Sequence, residues 1–219
     1  VVRGQADLPA GAIINPDATL GRVLALQGHI RADDRYGGSE AEDQALAKYR
    51  LLPHTVSEHI AFVESWNLGS RDRSRIVPNL SAVRTNKRGF NASRPDTPPR
   101  FWYQLPDFAP RHRPDLCIAR VNYRHPRVVL NPGREVLIDA NFSTLWREDD
   151  AGLDPLALLA LLTSTWARAS MELLGTVLGG GALKLEAAHL RRLLLPAQKR
   201  DTEALLSQTG QMLRDEFDQ

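Results

Sequence analysis

The sequence holds a single cysteine, Cys117. One thiol excludes an internal disulfide and fits a reducing compartment. It stands in an apolar stretch, so a small buried core residue is expected there rather than a nucleophile. Long apolar runs are missing as well. The longest falls within Leu153–Leu162, about half of a membrane span. No charged start followed by an apolar core opens the chain, so no secretion signal is expected and a cytoplasmic location is. The first residue is Val1 rather than methionine, which suggests a piece of a longer protein.

Catalytic constellations are equally scarce. The six histidines are scattered, and His54 and His59 stand five apart, off the spacing that sets two ligands on one helix face. No metal site is expected. None of the four lysines has Asp or Glu two positions before it, so the common metal-dependent nuclease pattern is absent. Thr97-Pro98-Pro99-Arg100 shares its proline pair with amino-methyltransferase active sites. Those need Asn, Asp or Ser before the pair, to accept from the target amine, and an aromatic after it, to stack the flipped base. Thr97 and Arg100 supply neither, so the segment reads as a proline-rich loop. Gly179-Gly180-Gly181 follows a helical stretch rather than a strand and is no nucleotide-binding loop. No catalytic residue is assigned.

What is present is an uneven charge. The 219 residues are 42% apolar and 25% charged, ordinary for one large or two small globular domains. The net charge is only +2. It is −3 over residues 1–70, +10 over 71–134 and −5 over 135–219. A basic middle between acidic flanks marks a polyanion-binding face; the alternative is a solvated surface whose arginines pair with acids elsewhere in the fold. Aromatics stand among these charges: Phe90, Trp102, Tyr103 and Tyr123. The candidate nucleic-acid contacts are Arg84, Lys87, Arg88, Arg94, Arg100, Arg111, Arg113, Asn122, Arg124 and Arg127. Arginine clamps phosphate or reads guanine by a bidentate pair, and asparagine does the same for adenine. Gly180 and Lys184 join them, the first letting a backbone pass close to DNA and the second meeting a phosphate. The competing reading is that these glycines merely turn the chain.

Three blocks follow: a mixed segment over 1–70, a β-rich basic region over 71–150 and a helical bracing region over 151–219. Short strands are expected at 12–14, 22–30, 75–77 and 101–104. Ser39, followed by early acids, caps a helix running toward Leu51. A second spans Ser57–Trp66, with Ile60, Val63 and Phe62 inward. Leu116–Tyr123 reads as a strand. Arg127–Leu130 and Glu135–Ala140 form a hairpin across Asn131-Pro132-Gly133-Arg134, because Pro presets φ and Gly accepts φ > 0 in a type II turn. Asp154 and Pro155 open one long helix to Gly175, with Leu156, Leu159, Leu162, Trp166, Ala169 and Leu173 on one apolar stripe. Ala182–Leu185 is a short strand and Glu186–Leu193 a short helix. The last helix, Asp201–Phe217, turns Leu205, Met212 and Leu213 to one side and is weakened by Gly210. The fold class is α+β: a β-rich, basic DNA-recognition domain with C-terminal amphipathic helices.

Several segments taken in order resemble the target-recognition region of gamma-class N6-adenine DNA methyltransferases of restriction–modification systems. They are Pro99–Tyr103, Arg113–Ile118, Val128–Asn131 and Asp139-Ala140-Asn141-Phe142, then Leu158–Ser164, Gly179–Glu186 and Leu190–Pro196. The tail is also similar in outline to half of a type I restriction specificity subunit. The resemblance covers roughly residues 95–200. It implies sequence-specific binding to double-stranded DNA, with a separate methyltransferase catalytic domain, absent from this chain, that flips and methylates adenine. S-adenosylmethionine is implied for that domain and not for this chain. The rival reading is a protein–protein assembly module docking through the helices at 154–175 and 201–217.

Overall fold

Side-chain caps from Ser39, Asp154 and Ser164 open three of the described helices, and prolines break up residues 95–114. The computed structural model describes residues 1–17, 21–69, 75–149, 152–196 and 200–217. Contacts divide the chain into two units: Leu24–Asp107, and Val1–Val23 together with Phe108–Gln219. These units cut across the blocks drawn from charge. Helix and sheet both occur, so the fold is α+β. Among the described residues no helix is long and apolar enough to cross a membrane.

In the Leu24–Asp107 unit, β1 (His29–Ile30) pairs in parallel with β2 (Arg50–Leu51). Between them lies α1 (Glu40–Leu46), whose first turn is closed by the Ser39 hydroxyl accepting from the Glu42 N–H at 3.3 Å. α2 (His54–Ser65) starts directly after Pro53, earlier than the sequence suggests, since Pro fixes the extended backbone that precedes a helix. Leu26, Leu52 and Ile60 form a small core, with Val56, Trp102 and Tyr103 against it. Phe62, expected inward, is 63% exposed and pairs with Trp66 at 6.0 Å. α3 (Ser81–Arg84) is a single turn. The strand expected at 75–77 reduces to an isolated bridge, Asn67↔Ile76, and the one expected at 101–104 does not form; the neighbouring Arg100 bridges Arg88 instead. Of the strand expected over 22–30 only β1 forms.

The larger unit is built on β3 (Leu116–Ala119), buried on both faces. Leu116 and Ile118 enter one core with Leu159, Leu162 and Met171, while Cys117 and Ala119 enter another with Val2, Ile14 and Val129. β4 (Val121–Asn122) follows, then β5 (Val128–Leu130) and β6 (Phe142–Leu145). The central sheet has the order β5-β3-β6 and is antiparallel. Ala12–Ile14, expected as a strand, makes one bridge, Ile13↔Leu130.

The turn at Asn131–Arg134 is present. Gly133 has φ +61°, and Arg134 N–H donates to the Asn131 carbonyl at 3.1 Å. The hairpin is not. Arg134 itself takes φ +57°, and the buried Asn131 side chain bonds both the N–H and the carbonyl of Val136, at 3.1 and 2.9 Å. The chain is thereby led away from β5, and Ile138 bridges Val2 instead. Arg134 clamps Asp115 with two hydrogen bonds, 2.8 and 2.6 Å, and this pairing raises its already high pKa.

Asp154 caps α4 (Pro155–Thr163) by accepting from Leu156 and Ala157. The expected single helix breaks at Ser164. Its backbone is extended, its hydroxyl accepts from Ala167 N–H at 3.2 Å, and α5 (Thr165–Leu174) restarts there. The break rotates the inner face: Ala167 and Met171 are buried, whereas Trp166 is 47% and Leu173 88% exposed. β7 (Thr176–Val177) and β8 (Leu183–Lys184) form a second sheet with β4, in the order β4-β8-β7. α6 (Ala187–Leu190) is one turn, and α7 (Arg200–Phe217) packs on α4. Gly210 makes that approach possible, since a Cβ there would lie 2.1 Å from the Leu156 carbonyl oxygen. Leu205 and Met212 face outward, correcting the side expected for them.

Candidate nucleic-acid interface

In the Leu24–Asp107 unit the basic residues expected to touch DNA sit on and after α3. Arg88 and Arg100 exchange backbone hydrogen bonds of 2.9 and 2.7 Å, which closes the proline-rich loop between them. Inside it, Asn91 Oδ1 accepts from Ser93 N–H at 2.9 Å, and Arg94 N–H donates to the Asn91 carbonyl at 2.9 Å. Tyr49 fastens the base of the loop by donating its hydroxyl to the Pro99 carbonyl at 2.5 Å. Burial raises the Tyr49 pKa, so it remains a donor. The Arg88 guanidinium donates to the Pro98 carbonyl at 2.8 Å and Arg100 Nε to the Asn86 carbonyl at 2.5 Å. These bonds are made to neutral oxygens and leave both charges uncompensated. Arg84, Lys87 and Arg94 are exposed. Among the described residues none of these five cations forms an ion pair. These three exposed cations, Arg84 on α3, Lys87 after it and Arg94 within the loop, can each meet a phosphate.

The larger unit holds the rest. Arg111 and Arg113 flank His112 on a short turn, both exposed, with Arg113 over the Phe108 ring at 6.0 Å. Burial, and then neighbouring Arg111, lower the His112 pKa, so it adds no charge at neutral pH. Arg124 is exposed in the run Tyr123-Arg124-His125. Two candidates are corrected. Asn122 is 4% exposed and donates its amide to the Ala119 carbonyl at 2.7 Å; it is buried by the pairing of β4 with β8 and offers nothing to a base edge. Arg127 is half-buried, and its guanidinium meets the carbonyls of Pro9, Ala10 and Gly11. It fastens the N-terminal segment.

β7 and β8 are joined by Gly179–Gly181, where Leu178 N–H donates to the Ala182 carbonyl at 2.7 Å. Gly180 and Gly181 take φ +74° and +77°, which glycine adopts without strain. A Cβ at any of the three would meet nothing within 4 Å. The local need is therefore conformational, and the turn faces open space. Lys184 pairs with Glu186 at 2.9 Å, and its hydrogen bond lowers the Glu186 pKa. Among the described residues, Lys184 is the one cation expected to touch DNA that is matched to a carboxylate. Tyr123, 73% exposed, and His125 stand beside Arg124. Neither was singled out as a contact from sequence, because nothing local tells an exposed tyrosine from a core one.

The proline pair is spent on the loop, its two carbonyls taken by Arg88 and Tyr49. The Cys117 thiol is pushed up to about 12 by burial and is inert. No group of acidic, histidine or cysteine side chains suited to a metal occurs among the described residues. An open groove of about 270 Å³ lies beside Leu116, Trp146, Pro155 and Leu158. Of the two carboxylates that line it, Asp115 and Glu148, Asp115 is already held by Arg134 and by the Arg147 N–H at 2.7 Å.

A family model described as the C-terminal domain of the type II methyltransferase M.Eco57I matches residues 99–217. The match takes in β3 to β8 and α4 to α7, and leaves Arg84, Lys87, Arg88 and Arg94 before it. No curated protein and no solved structure matches the chain.

Proposed function

The chain belongs to the family of type II methyltransferase M.Eco57I C-terminal domains, and from that premise we propose that it is the DNA target-recognition part of an adenine-N6 methyltransferase. It is part of a DNA methyltransferase; the finer role rests on one observation. The exposed basic residues Arg84, Lys87, Arg94, Arg113 and Arg124 form no ion pairs among the described residues. A solvated surface whose arginines pair internally would look different. Uncompensated arginines release counterions from a phosphate backbone on binding, which is the main source of affinity for DNA. In this reading Arg84, Lys87 and Arg94 hold phosphates, with Arg88 and Arg100 adding to the field, and Arg113 and Arg124 act from the larger unit.

S-adenosylmethionine and the methyl transfer are assigned to a separate catalytic domain. The course of the glycines supports this: Gly179–Gly181 lie in a turn between two strands rather than between a strand and a helix N-terminus. The chain's own task is to seat the duplex so that one adenine can be flipped outward.

A second reading, protein docking through the C-terminal helices, is favoured by the exposure of Trp166 and Leu173 on α5 and of Leu205 and Met212 on α7. The two separate in one titration. Fluorescence anisotropy of a labelled mixed-sequence duplex should show a Kd of about 100 μM or tighter at physiological salt, in the range of non-specific binding or better. Absence of binding at that level overturns the DNA reading and leaves docking.

A further inference from the structure

Tyr123, Arg124 and His125 form an exposed tip whose two ends are fastened inside the larger unit. On one side Asn122 is buried, bonded to the Ala119 carbonyl at 2.7 Å and paired across the sheet with Leu183. On the other, Pro126 is buried and Arg127 holds the carbonyls of Pro9, Ala10 and Gly11 before β5 begins. Between these anchors all three side chains are exposed, Tyr123 at 73%.

We propose that this tip is the base-reading element of the chain. Tyr123, Arg124 and His125 enter a groove of the duplex, while the side-chain-free turn Gly179–Gly181 passes beside the sugar–phosphate backbone. The inference rests on the DNA reading above and goes beyond it by naming the residues that set which sequence is chosen.

Four observations carry it. First, the tip is held in place before any ligand arrives, so little conformational entropy is lost when it binds. Second, its chemistry suits base edges: arginine makes a bidentate pair with guanine, histidine donates or accepts, and a tyrosine ring packs against a thymine methyl or a base face. A tyrosine this exposed does nothing for the core. Third, nothing in the tip repels DNA. Residues 116–134 contain Arg120, Arg124, Arg127 and Arg134 and no acid. Fourth, the register places the glycine turn beside it. β4 runs antiparallel to β8 with Asn122 opposite Leu183, so the chain leaves β4 at the sheet end where Gly179–Gly181 lies. A Cβ on any of those glycines would meet nothing within 4 Å, so the turn is open to an approaching backbone. Arg84, Lys87 and Arg94 lie in the other unit and supply contacts indifferent to sequence.

The test is selection from a random-sequence duplex pool with this chain, followed by sequencing of what is retained. The parent chain should enrich a defined sequence. The double variant Tyr123→Ala/His125→Ala, and separately Arg124→Ala, should lose discrimination at one or more base pairs by roughly tenfold to a hundredfold. All should keep the parent's melting temperature, because the three side chains are exposed. For the double variant, affinity for an unselected duplex should change little. Variants that fold as the parent does and enrich the same sequence to the same degree overturn the assignment of the tip. A parent chain that enriches no sequence overturns the reading of the preceding subsection, and this one with it.

Discussion

Arg127 and Arg124 are three residues apart and look alike in the sequence, yet the structure gives them opposite tasks. Replacing each with alanine therefore separates a brace from a DNA contact. One terminal nitrogen of Arg127 serves the carbonyls of Pro9, Ala10 and Gly11. That nitrogen has two hydrogens, so at most two of these bonds exist at full strength together. A hydrogen bond from a charged donor contributes about 1.5–3 kcal/mol when well formed, and Arg127 is only half-buried, so the lower end applies. Arg127→Ala should then lose about 2–3 kcal/mol. At about 2–4 °C per kcal/mol for a chain of this size, the melting temperature read by circular dichroism should fall by roughly 4–12 °C. Arg124, exposed and without an ion pair among the described residues, should leave melting unchanged on replacement, but relax discrimination at a base pair of the bound duplex. An unchanged melting temperature for Arg127→Ala, or a large fall for Arg124→Ala, would refute the division.

Other outcomes follow from packing and titration. Gly210→Ala should lower the melting temperature even though alanine favours helix by about 1 kcal/mol, because its Cβ would lie 2.1 Å from the Leu156 carbonyl oxygen and force α7 off α4; a rise would show that the helices part freely. Gly133→Val should cost about 1 kcal/mol or more in urea unfolding, since Gly133 sits at φ +61°. His112 has a folded pKa below its ordinary 6.5, so the unfolded chain takes up its proton first as pH falls. Stability from this group should be full above 6.5 and decline below it, and His112→Gln should flatten that part of the melting-versus-pH curve.

Short-range chemistry was the legible part. Ser39, Asp154 with Pro155, and the Pro132-Gly133 turn all act through neighbours within a few residues, and each formed as read. Where a distant segment decides, local pattern misled. Arg127 answers to carbonyls more than a hundred residues away, and Gly210 to a helix fifty residues earlier. Ser164 could have been read as a second cap, standing as it does between two threonines, but the leucine stripe runs through it and hides the break. With that break, Trp166 and Leu173 pass from expected core to surface. Asn122 was misjudged because its burial comes from β8, which pairs with it across some sixty residues of sequence. Most of the basic candidates could be named from composition; which of them stay uncompensated could not, since that depends on where the acids fold.

The salt dependence of duplex binding tests the central claim most directly. Each phosphate neutralised contributes a slope of about −0.9 in log K against log salt. With Arg84, Lys87, Arg94 and Arg113 exposed and outside ion pairs among the described residues, a slope of about −3 or steeper is expected. Binding with a slope near zero, or none at low salt, would contradict it.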